Sequence, residues 1–95
     1  MTKKDSYFDH FIITQLHNSD EYIHDESDKR WLEPKSKRPD CIHKFRLTDD
    51  DGNIYCYGYC NDASSFRPLD DFGTPNWGCT AIFYRNPETG KYEQL

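Results

Sequence analysis

Cysteines and histidines, four of each, are the residues of this 95-residue chain best suited to bind a metal or act in catalysis. Three cysteines lie within residues 41–60, a stretch that alternates like two strands around an Asp-rich turn. If a two-residue turn joins those strands, three ligand-type side chains meet at one end of the hairpin, and a cysteine that starts a later strand joins them. The resulting Cys3His set has the composition of a structural zinc site and consists of Cys41, His43, Cys60 and Cys79.

A three-residue turn, with Gly52 as a left-handed bulge residue, reverses the alternation of the second strand. The three tyrosines of that strand then share a face with Phe45 and Leu47, and the thiols fill the other side. Cys56 and Cys60 would lie roughly 13 Å apart on an extended strand, at ~3.3 Å per residue, which is too far for one zinc ion. Free cysteine is also a commonly buried residue. We therefore predict core packing for the thiols, an aromatic face for the tyrosines, and neither metal nor cofactor.

Catalysis receives little support from the residue spacing. Cys79 is a possible nucleophile, with His43 as base and Asp62 to orient it. No cysteine-protease motif, glycine-rich phosphate loop or serine elbow accompanies these residues. The sequence predicts a protein that is not an enzyme.

Composition predicts one small folded domain, residues 1–95, with a thin core. Hydrophobic residues make up 35% of the chain, but it has six Phe, seven Tyr and two Trp, and each such ring buries a large area. No apolar run approaches the ~20 residues that span a bilayer, and the N-terminus lacks the apolar segment of a signal peptide. These features predict a cytoplasmic protein without membrane contact and with reduced thiols.

The predicted fold is α+β, with an antiparallel four-stranded sheet made of two hairpins and one or two short helices packed on one face. Phe8, Phe11, Ile12 and Leu16 share one helical face, which predicts a helix over 7–17, although Phe11–Thr14 is also β-prone. The spacing of Phe66, Leu69 and Phe72 predicts one or two helical turns that end at Gly73, before a turn at 74–78. The four strands, placed side by side in chain order, are 41–48, 54–60, 79–85 and 91–95.

Two segments are expected to be loosely held. Residues 1–5 are predicted to be disordered, and residues 33–40 form a basic loop between prolines that is predicted to be mobile because it lacks an apolar anchor. No aromatic residue interrupts this loop, and we therefore expect no direct contact with nucleic acid.

The function predicted from sequence is a non-catalytic interaction or regulatory protein, a monomer or weak homodimer, that binds a protein partner. The chain has more Tyr and Trp than so small a core needs, and such residues serve interfaces. One alternative is an acidic inhibitor of a nucleic-acid-binding protein encoded by a mobile element, based on the net charge of −5; another is a zinc-stabilised binding module. The predicted partner surface consists of Tyr55, Tyr57, Tyr59, Trp77 and Tyr84, with Asp70 and Asp71 at its rim.

Overall fold

Five antiparallel strands form one sheet in the computed structural model, which describes residues 8–18 and 22–95. Their order across the sheet is β1-β3-β2-β4-β5. The α+β class is confirmed, with five strands instead of the predicted four. The strands are β1 (Phe11–Leu16), β2 (His43–Thr48), β3 (Ile54–Cys60), β4 (Ala81–Arg85) and β5 (Tyr92–Gln94), and the helical segments are two 3-10 turns (Glu26–Trp31, Lys35–Lys37), a π-helical segment (Pro68–Gly73) and α1 (Thr74–Trp77).

The predicted helix over 7–17 is wrong for the part that the structure describes. Residues Phe11–Leu16 form β1, which pairs along β3 from Phe11 opposite Cys60 to Leu16 opposite Cys56. Phe11, Ile12 and Ile13 are all buried, because both sides of the strand are covered there. The helical spacing of the apolar residues was thus a coincidence, and β propensity with tertiary pairing prevailed. Residue 7 and the predicted disordered residues 1–5 lie outside the described residues.

The four predicted strands are present, but not in chain order across the sheet. β4 pairs with β2, with Phe45 opposite Tyr84 and Leu47 opposite Ile82. The free edge of β3 is occupied by β1, so the chain returns after residues 61–78 to the open edge of β2. The C-terminal hairpin from β4 to β5 is confirmed, with Gly90 in the left-handed region at φ 76°.

The first hairpin has the strand register predicted for a two-residue turn, but the loop that joins its strands is longer than two residues. Leu47 lies opposite Cys56, and the pairing continues outward from there as the two-residue turn predicts. The loop itself spans 49–53, with Gly52 at φ 84°. Tyr55 is an extra residue in β3, because Thr48 pairs with Ile54 while Leu47 pairs with Cys56. This bulge shifts the alternation by one residue.

That register corrects the predicted aromatic face. The thiols of β3 lie with Phe45 and Leu47 in the core. Of the three tyrosines of β3, only Tyr55 belongs to that cluster. All four cysteines are free and fully buried, as the core-packing interpretation predicts. Side chains from the helical segment cover this face, which we call the covered face. Its buried cluster includes Phe11, Ile13, Phe45, Leu47, Cys56, Cys60, Leu69, Phe72, Cys79 and Ile82.

The helical segment continues further than predicted. Gly73 does not end it: its φ is −62°, and the chain passes directly into α1, which ends at Gly78 with φ 73°. Pro75 is compatible with this because it lies in the first turn of α1. Gly73 is instead a point of close packing, since a Cβ there would come within 2.8 Å of the Leu47 side chain.

The basic loop at 33–40 has an anchor, and the anchor is polar. The Arg38 side chain is 2% exposed and donates hydrogen bonds to the carbonyl oxygens of Phe8 and Asp9 and to the Asp40 carboxylate. An arginine saturated in this way is stable when buried. The prediction of a mobile loop considered only apolar anchors, so it did not include this polar one. The mobility of the loop stays a prediction.

Candidate partner-binding site

The side chains that alternate away from the covered face form a second surface rich in cations and aromatic rings. On it, β2 carries Lys44 opposite Tyr59 of β3, and Arg46 opposite Tyr57. On its other edge, Arg46 lies opposite Phe83 of β4. We call this set the aromatic–basic face; it consists of Lys35, Lys44, Arg46, Tyr57, Tyr59, Phe83 and Tyr92.

Cations and rings alternate in space across this face. Lys35 Nζ lies 5.2 Å from the centroid of the Tyr59 ring, and Lys44 Nζ lies 6.0 Å from that ring and 5.4 Å from the Tyr57 ring. The Tyr57 and Tyr92 ring centroids are 6.0 Å apart. These distances fall within the range of cation–π and aromatic contacts.

Arg46 occupies the other end of the series. Its guanidinium carbon lies 4.5 Å from the Tyr92 ring centroid and 5.1 Å from that of Phe83. Two such contacts hold the guanidinium in place, each contributing about 0.5–1 kcal/mol at a partly exposed site. The rings therefore fix the cations in position without neutralising their charge.

None of the three cations of the face forms an ion pair with a described residue, although the chain has 17 acids and 12 Lys and Arg. Elsewhere the pattern differs: Lys29 lies 2.9 Å from Glu26, and Arg67 lies 3.7 Å from Asp71. The Nε of Arg46 is buried and meets no hydrogen-bond acceptor in the described part of the chain. A buried donor without an acceptor is costly unless a ligand satisfies it.

Tyr92 of the face stays protonated near neutral pH. Burial raises the pKa of Tyr92, and the nearby Tyr57 raises it further, while the positive charges of Arg46 and Arg85 act in the opposite direction. A neutral phenol donates a hydrogen bond through its hydroxyl and presents an aromatic ring beside it. The face can thus offer positive charge, hydrogen-bond donors and ring surface to one ligand.

The structure divides the predicted partner surface between the two sides of the sheet. Tyr57 and Tyr59 lie on the aromatic–basic face, but Tyr55 and Tyr84 are only 8% and 6% exposed on the covered side. The Tyr55 hydroxyl donates to Asp49, and the Tyr84 hydroxyl donates to the carbonyl oxygen of Ser65. Because these hydroxyls have partners inside the fold, the two tyrosines serve packing there.

The remaining members of the predicted surface also lie away from the aromatic–basic face. Trp77 is half-buried and packs on Phe72 and on His24, with ring centroids 4.8 Å and 4.6 Å apart. Asp70 and Asp71 are exposed on the helical segment Pro68–Gly73, which packs on the covered face. They therefore do not form a rim for Tyr57 and Tyr59.

Sequence reasoning missed five members of the face: Lys35, Lys44, Arg46, Phe83 and Tyr92. A signal for two of them was present, since Lys44 and Arg46 alternate with Phe45 and Leu47 in the period of a strand. Combining that alternation with the correct hairpin register places them opposite Tyr59 and Tyr57. Phe83 and Tyr92 required the pairing of β2 with β4, which the predicted strand order did not contain.

The proposed Cys3His cluster is separated by the same pairing. His43 lies opposite Cys60 at one end of β2. Cys79 lies at the other end, since the amide of the next residue, Thr80, donates to the carbonyl oxygen of Thr48. The length of β2 between these ends is roughly 16 Å at ~3.3 Å per residue. Within residues 8–18 and 22–95, no three His, Cys, Asp or Glu side chains are grouped so that they could hold a metal ion.

The separation also removes the suggested triad, because His43 and Cys79 cannot exchange a proton across the length of β2. Burial raises the pKa of the Cys79 thiol to about 12 and that of Cys56 well above its ordinary value. A thiol needs a lowered pKa to act as a nucleophile near neutral pH. Both thiols are therefore unreactive core groups.

A groove of about 510 Å³ opens at the His43 end of the sheet, beside the β4–β5 turn. Its lining mixes signs of charge, with Arg85 beside Glu88 and Glu93. It thus lacks the single sign of charge that distinguishes the aromatic–basic face. We take that face as the candidate site.

Comparison of the chain with protein-family models, with curated proteins and with solved structures finds no significant match. Among the described residues, no helix is both long and apolar enough to cross a membrane. The function is therefore inferred from the geometry of the face.

Proposed function

We propose that the chain is a non-catalytic binding protein that holds a negatively charged macromolecule on the aromatic–basic face. The observation that carries this proposal is the presence of three cations that form no ion pair with a described residue, interleaved with four aromatic rings, in a chain of net charge −5. In an acidic protein, unpaired cations gathered on one face attract an anionic partner and steer its approach. The sequence-based idea of partner binding through an aromatic surface is retained, with a different set of residues.

Half-buried rings make the proposal more specific than charge alone. Tyr and Arg are frequent energetic anchors of interfaces because they combine apolar area with directed hydrogen bonds. Arg46 suits this role, since its guanidinium contacts the rings of Phe83 and Tyr92 and forms no ion pair with a described residue. We expect it to be the central anchor of the site.

The alternative of an acidic inhibitor has less support. Its acids would have to share one surface, but the exposed acids are distributed over separate elements: Asp25 and Glu26 at the first 3-10 turn, Asp50 and Asp51 in the first hairpin, and Asp70 and Asp71 on the helical segment. We also propose that the protein acts in the cytoplasm. The four free thiols support a reducing compartment.

Binding to a generic polyanion tests the proposal without knowledge of the natural partner. A heparin fragment serves as the probe, uncharged dextran as the control ligand, and tyrosine fluorescence or amide chemical shifts as the readout. We expect heparin to bind at low salt and to perturb the aromatic–basic face, and dextran to have no effect. The affinity should fall as salt rises, because screening weakens each contact.

A charge reversal at the centre of the face provides the decisive variant. We expect Arg46→Glu to reduce heparin affinity at least tenfold, since it removes one attraction and adds one repulsion. Arg30→Glu is the matched control, because Arg30 also lies over a ring, 3.9 Å from the centroid of Trp31, which packs on the covered side. Equal losses in the two variants, or no heparin binding by the original protein, would contradict the proposal.

A further inference from the structure

We infer that the macromolecule held on the aromatic–basic face is a single-stranded nucleic acid; this inference rests on the proposed function and identifies its partner. The supporting feature is a continuous series in which three cations are interleaved with four rings. Its order is Lys35, Tyr59, Lys44, Tyr57, Tyr92, Arg46 and Phe83, and each neighbouring pair in it lies within 4.5–6.0 Å by ring centroid.

A single strand has the chemistry that matches such a series. Its phosphates are negative at every nucleotide, and its unstacked bases can lie on aromatic rings or on the plane of a guanidinium. Lys44 contacts the rings of both Tyr57 and Tyr59, so a phosphate at Lys44 places neighbouring bases near two rings. Arg46 adds a second positive charge beside the Phe83 and Tyr92 rings, where another phosphate can bind.

The shape of the face argues against a double helix. Duplex DNA is read by a helix or a two-stranded ribbon that enters a groove. Here the rings and cations, apart from Lys35, lie on four adjacent strands, β3, β2, β4 and β5, of a broad sheet. Neighbouring strands are about 4.8 Å apart, so three intervals span roughly 14 Å, which exceeds the ~12 Å width of the major groove.

An acidic protein is a weaker match than a single strand. Lysine is depleted from the cores of protein–protein interfaces, whereas Tyr and Arg are enriched there. In this face Lys44 is half-buried in the middle of the series, between two tyrosines. Lysines interleaved with rings are what a phosphate backbone with stacked bases requires.

The basic loop at 33–40 supports the same partner. Its sequence lacks an aromatic residue, and this was the reason to expect no direct contact with nucleic acid. In the fold, Lys35 of this loop lies over the Tyr59 ring, so the sheet supplies the aromatic partner that the loop lacks. The buried Arg38 fixes the position of the loop through its bonds to Phe8 and Asp9.

The test measures fluorescence anisotropy of labelled oligodeoxythymidylate and oligouridylate, each about 12 nucleotides long, a length within the range of known single-strand sites. A duplex of equal length and poly-glutamate are the competitors. We expect the single strands to bind at least tenfold more tightly than either competitor. The slope of log affinity against log salt should be about −2, at ~0.7 per phosphate contact for three cations.

Two kinds of variant separate charge from stacking. Arg46→Gln should weaken binding and reduce the salt slope by about 0.7, whereas Tyr57→Leu should weaken binding roughly 5- to 100-fold and leave the slope unchanged. Lys44→Gln provides a second charge variant if Arg46→Gln fails to fold. Arg30→Gln is the matched control, with the same change of charge, and should retain full affinity.

The outcomes separate this inference from the proposed function. If poly-glutamate or the duplex binds as tightly as the single strands, or if Tyr57→Leu has no effect, the face binds anions without stacking bases. The inference then fails and the proposed function survives. If neither heparin nor any oligonucleotide binds, both fail.

Discussion

The covered face and the aromatic–basic face are built from the same strands but use their side chains in opposite ways. On the covered face, Phe45 and Leu47 of β2 lie in a buried cluster whose narrow spaces are filled by thiols. On the other face, Lys44 and Arg46 of the same strand lie half-buried against rings and form no ion pair with a described residue. The side chains of the covered face pack against one another, whereas the cations of the aromatic–basic face are available to bind a partner.

This contrast indicates how a chain of low hydrophobic content combines stability with binding. The thiols are small and apolar, so the strands and the helical segment can approach closely and the core needs fewer large side chains. Several large aromatic side chains can then be placed on the opposite face. There they stabilise the fold in part and position cations for a partner. If the two faces differ in this way, substitutions on the covered face should destabilise the fold more than substitutions on the aromatic–basic face.

Gly58→Ala should have the largest effect, because the backbone of β1 and the Phe45 ring both lie close to Gly58. A Cβ at Gly58 would overlap the backbone oxygen of Ile12 and come within 2.6 Å of the Phe45 ring. Since a backbone atom of the neighbouring strand cannot move aside locally, we expect a loss of more than about 3 kcal/mol in the free energy of unfolding, or no folding. Circular dichroism and urea titration measure this loss.

Gly52→Ala is the control for Gly58→Ala. Gly52 has φ 84° and open space around its Cβ position, so its substitution should cost only about 1–2 kcal/mol of backbone strain. Equal losses at the two positions would show that the covered face is not closely packed around Gly58.

Paired truncations of Phe45 and Phe83 compare the faces directly. Phe45 is 0% exposed in the buried cluster, and its change to alanine should cost about 3–5 kcal/mol through lost transfer energy and a cavity. Phe83 is half-buried beside Arg46, and Phe83→Ala should cost about 1–2 kcal/mol. Urea titrations of both variants measure the difference. A larger loss at Phe83 would reverse our assignment of the two faces.

A further difference concerns the buried thiols of the covered face at alkaline pH. In the unfolded chain a thiol ionises near pH ~8.5, whereas the pKa of Cys79 in the fold is raised to about 12 and that of Cys56 is also raised. Above pH ~8.5 the folded protein therefore holds more protons than the unfolded chain, so its stability falls as pH rises. The slope is at most about 1.4 kcal/mol per pH unit for each thiol.

Urea midpoints under reducing conditions between about pH 8 and 10 measure this slope. Below the ordinary pKa of thiols the contribution is fully present, so the midpoint should be constant there and decline above it. The double variant Cys56→Ala, Cys79→Ala should flatten the decline, whereas Lys44→Gln should leave it as it is. An unchanged decline in the double variant would assign it to groups other than these thiols.

Much of the sheet was predictable because strand signals are local. The predicted segments 54–60 and 91–95 correspond to β3 and β5, and the C-terminal turn contains its left-handed Gly90. The segment at 7–17 was assigned incorrectly, because its apolar residues fit a helical period and a strand equally well. Only the pairing of β1 with β3 decided between them.

The candidate site was less predictable than the sheet. Sequence reasoning included Tyr57 and Tyr59 in the predicted partner surface, but its favoured register placed them on one face with Phe45 and Leu47. It also grouped them with Tyr55, which is buried on the covered side. A bulge of one residue reverses the faces of a strand, and the inward-facing Tyr55 stacks on Trp77 and donates a hydrogen bond to Asp49. No pattern in the sequence encodes the position of the bulge.

The alternation of each strand, the turns, and the suitability of the thiols for a core follow from the sequence without knowledge of the fold. The same alternation places Lys44 and Arg46 on one face of β2 and Phe45 and Leu47 on the other, because successive side chains of a strand point to opposite faces. The tertiary structure alone decided which strands are neighbours. By placing β2 between β3 and β4, it separated Cys79 from His43 and brought cations and rings together, since contacts between distant segments depend on the packing of the whole sheet.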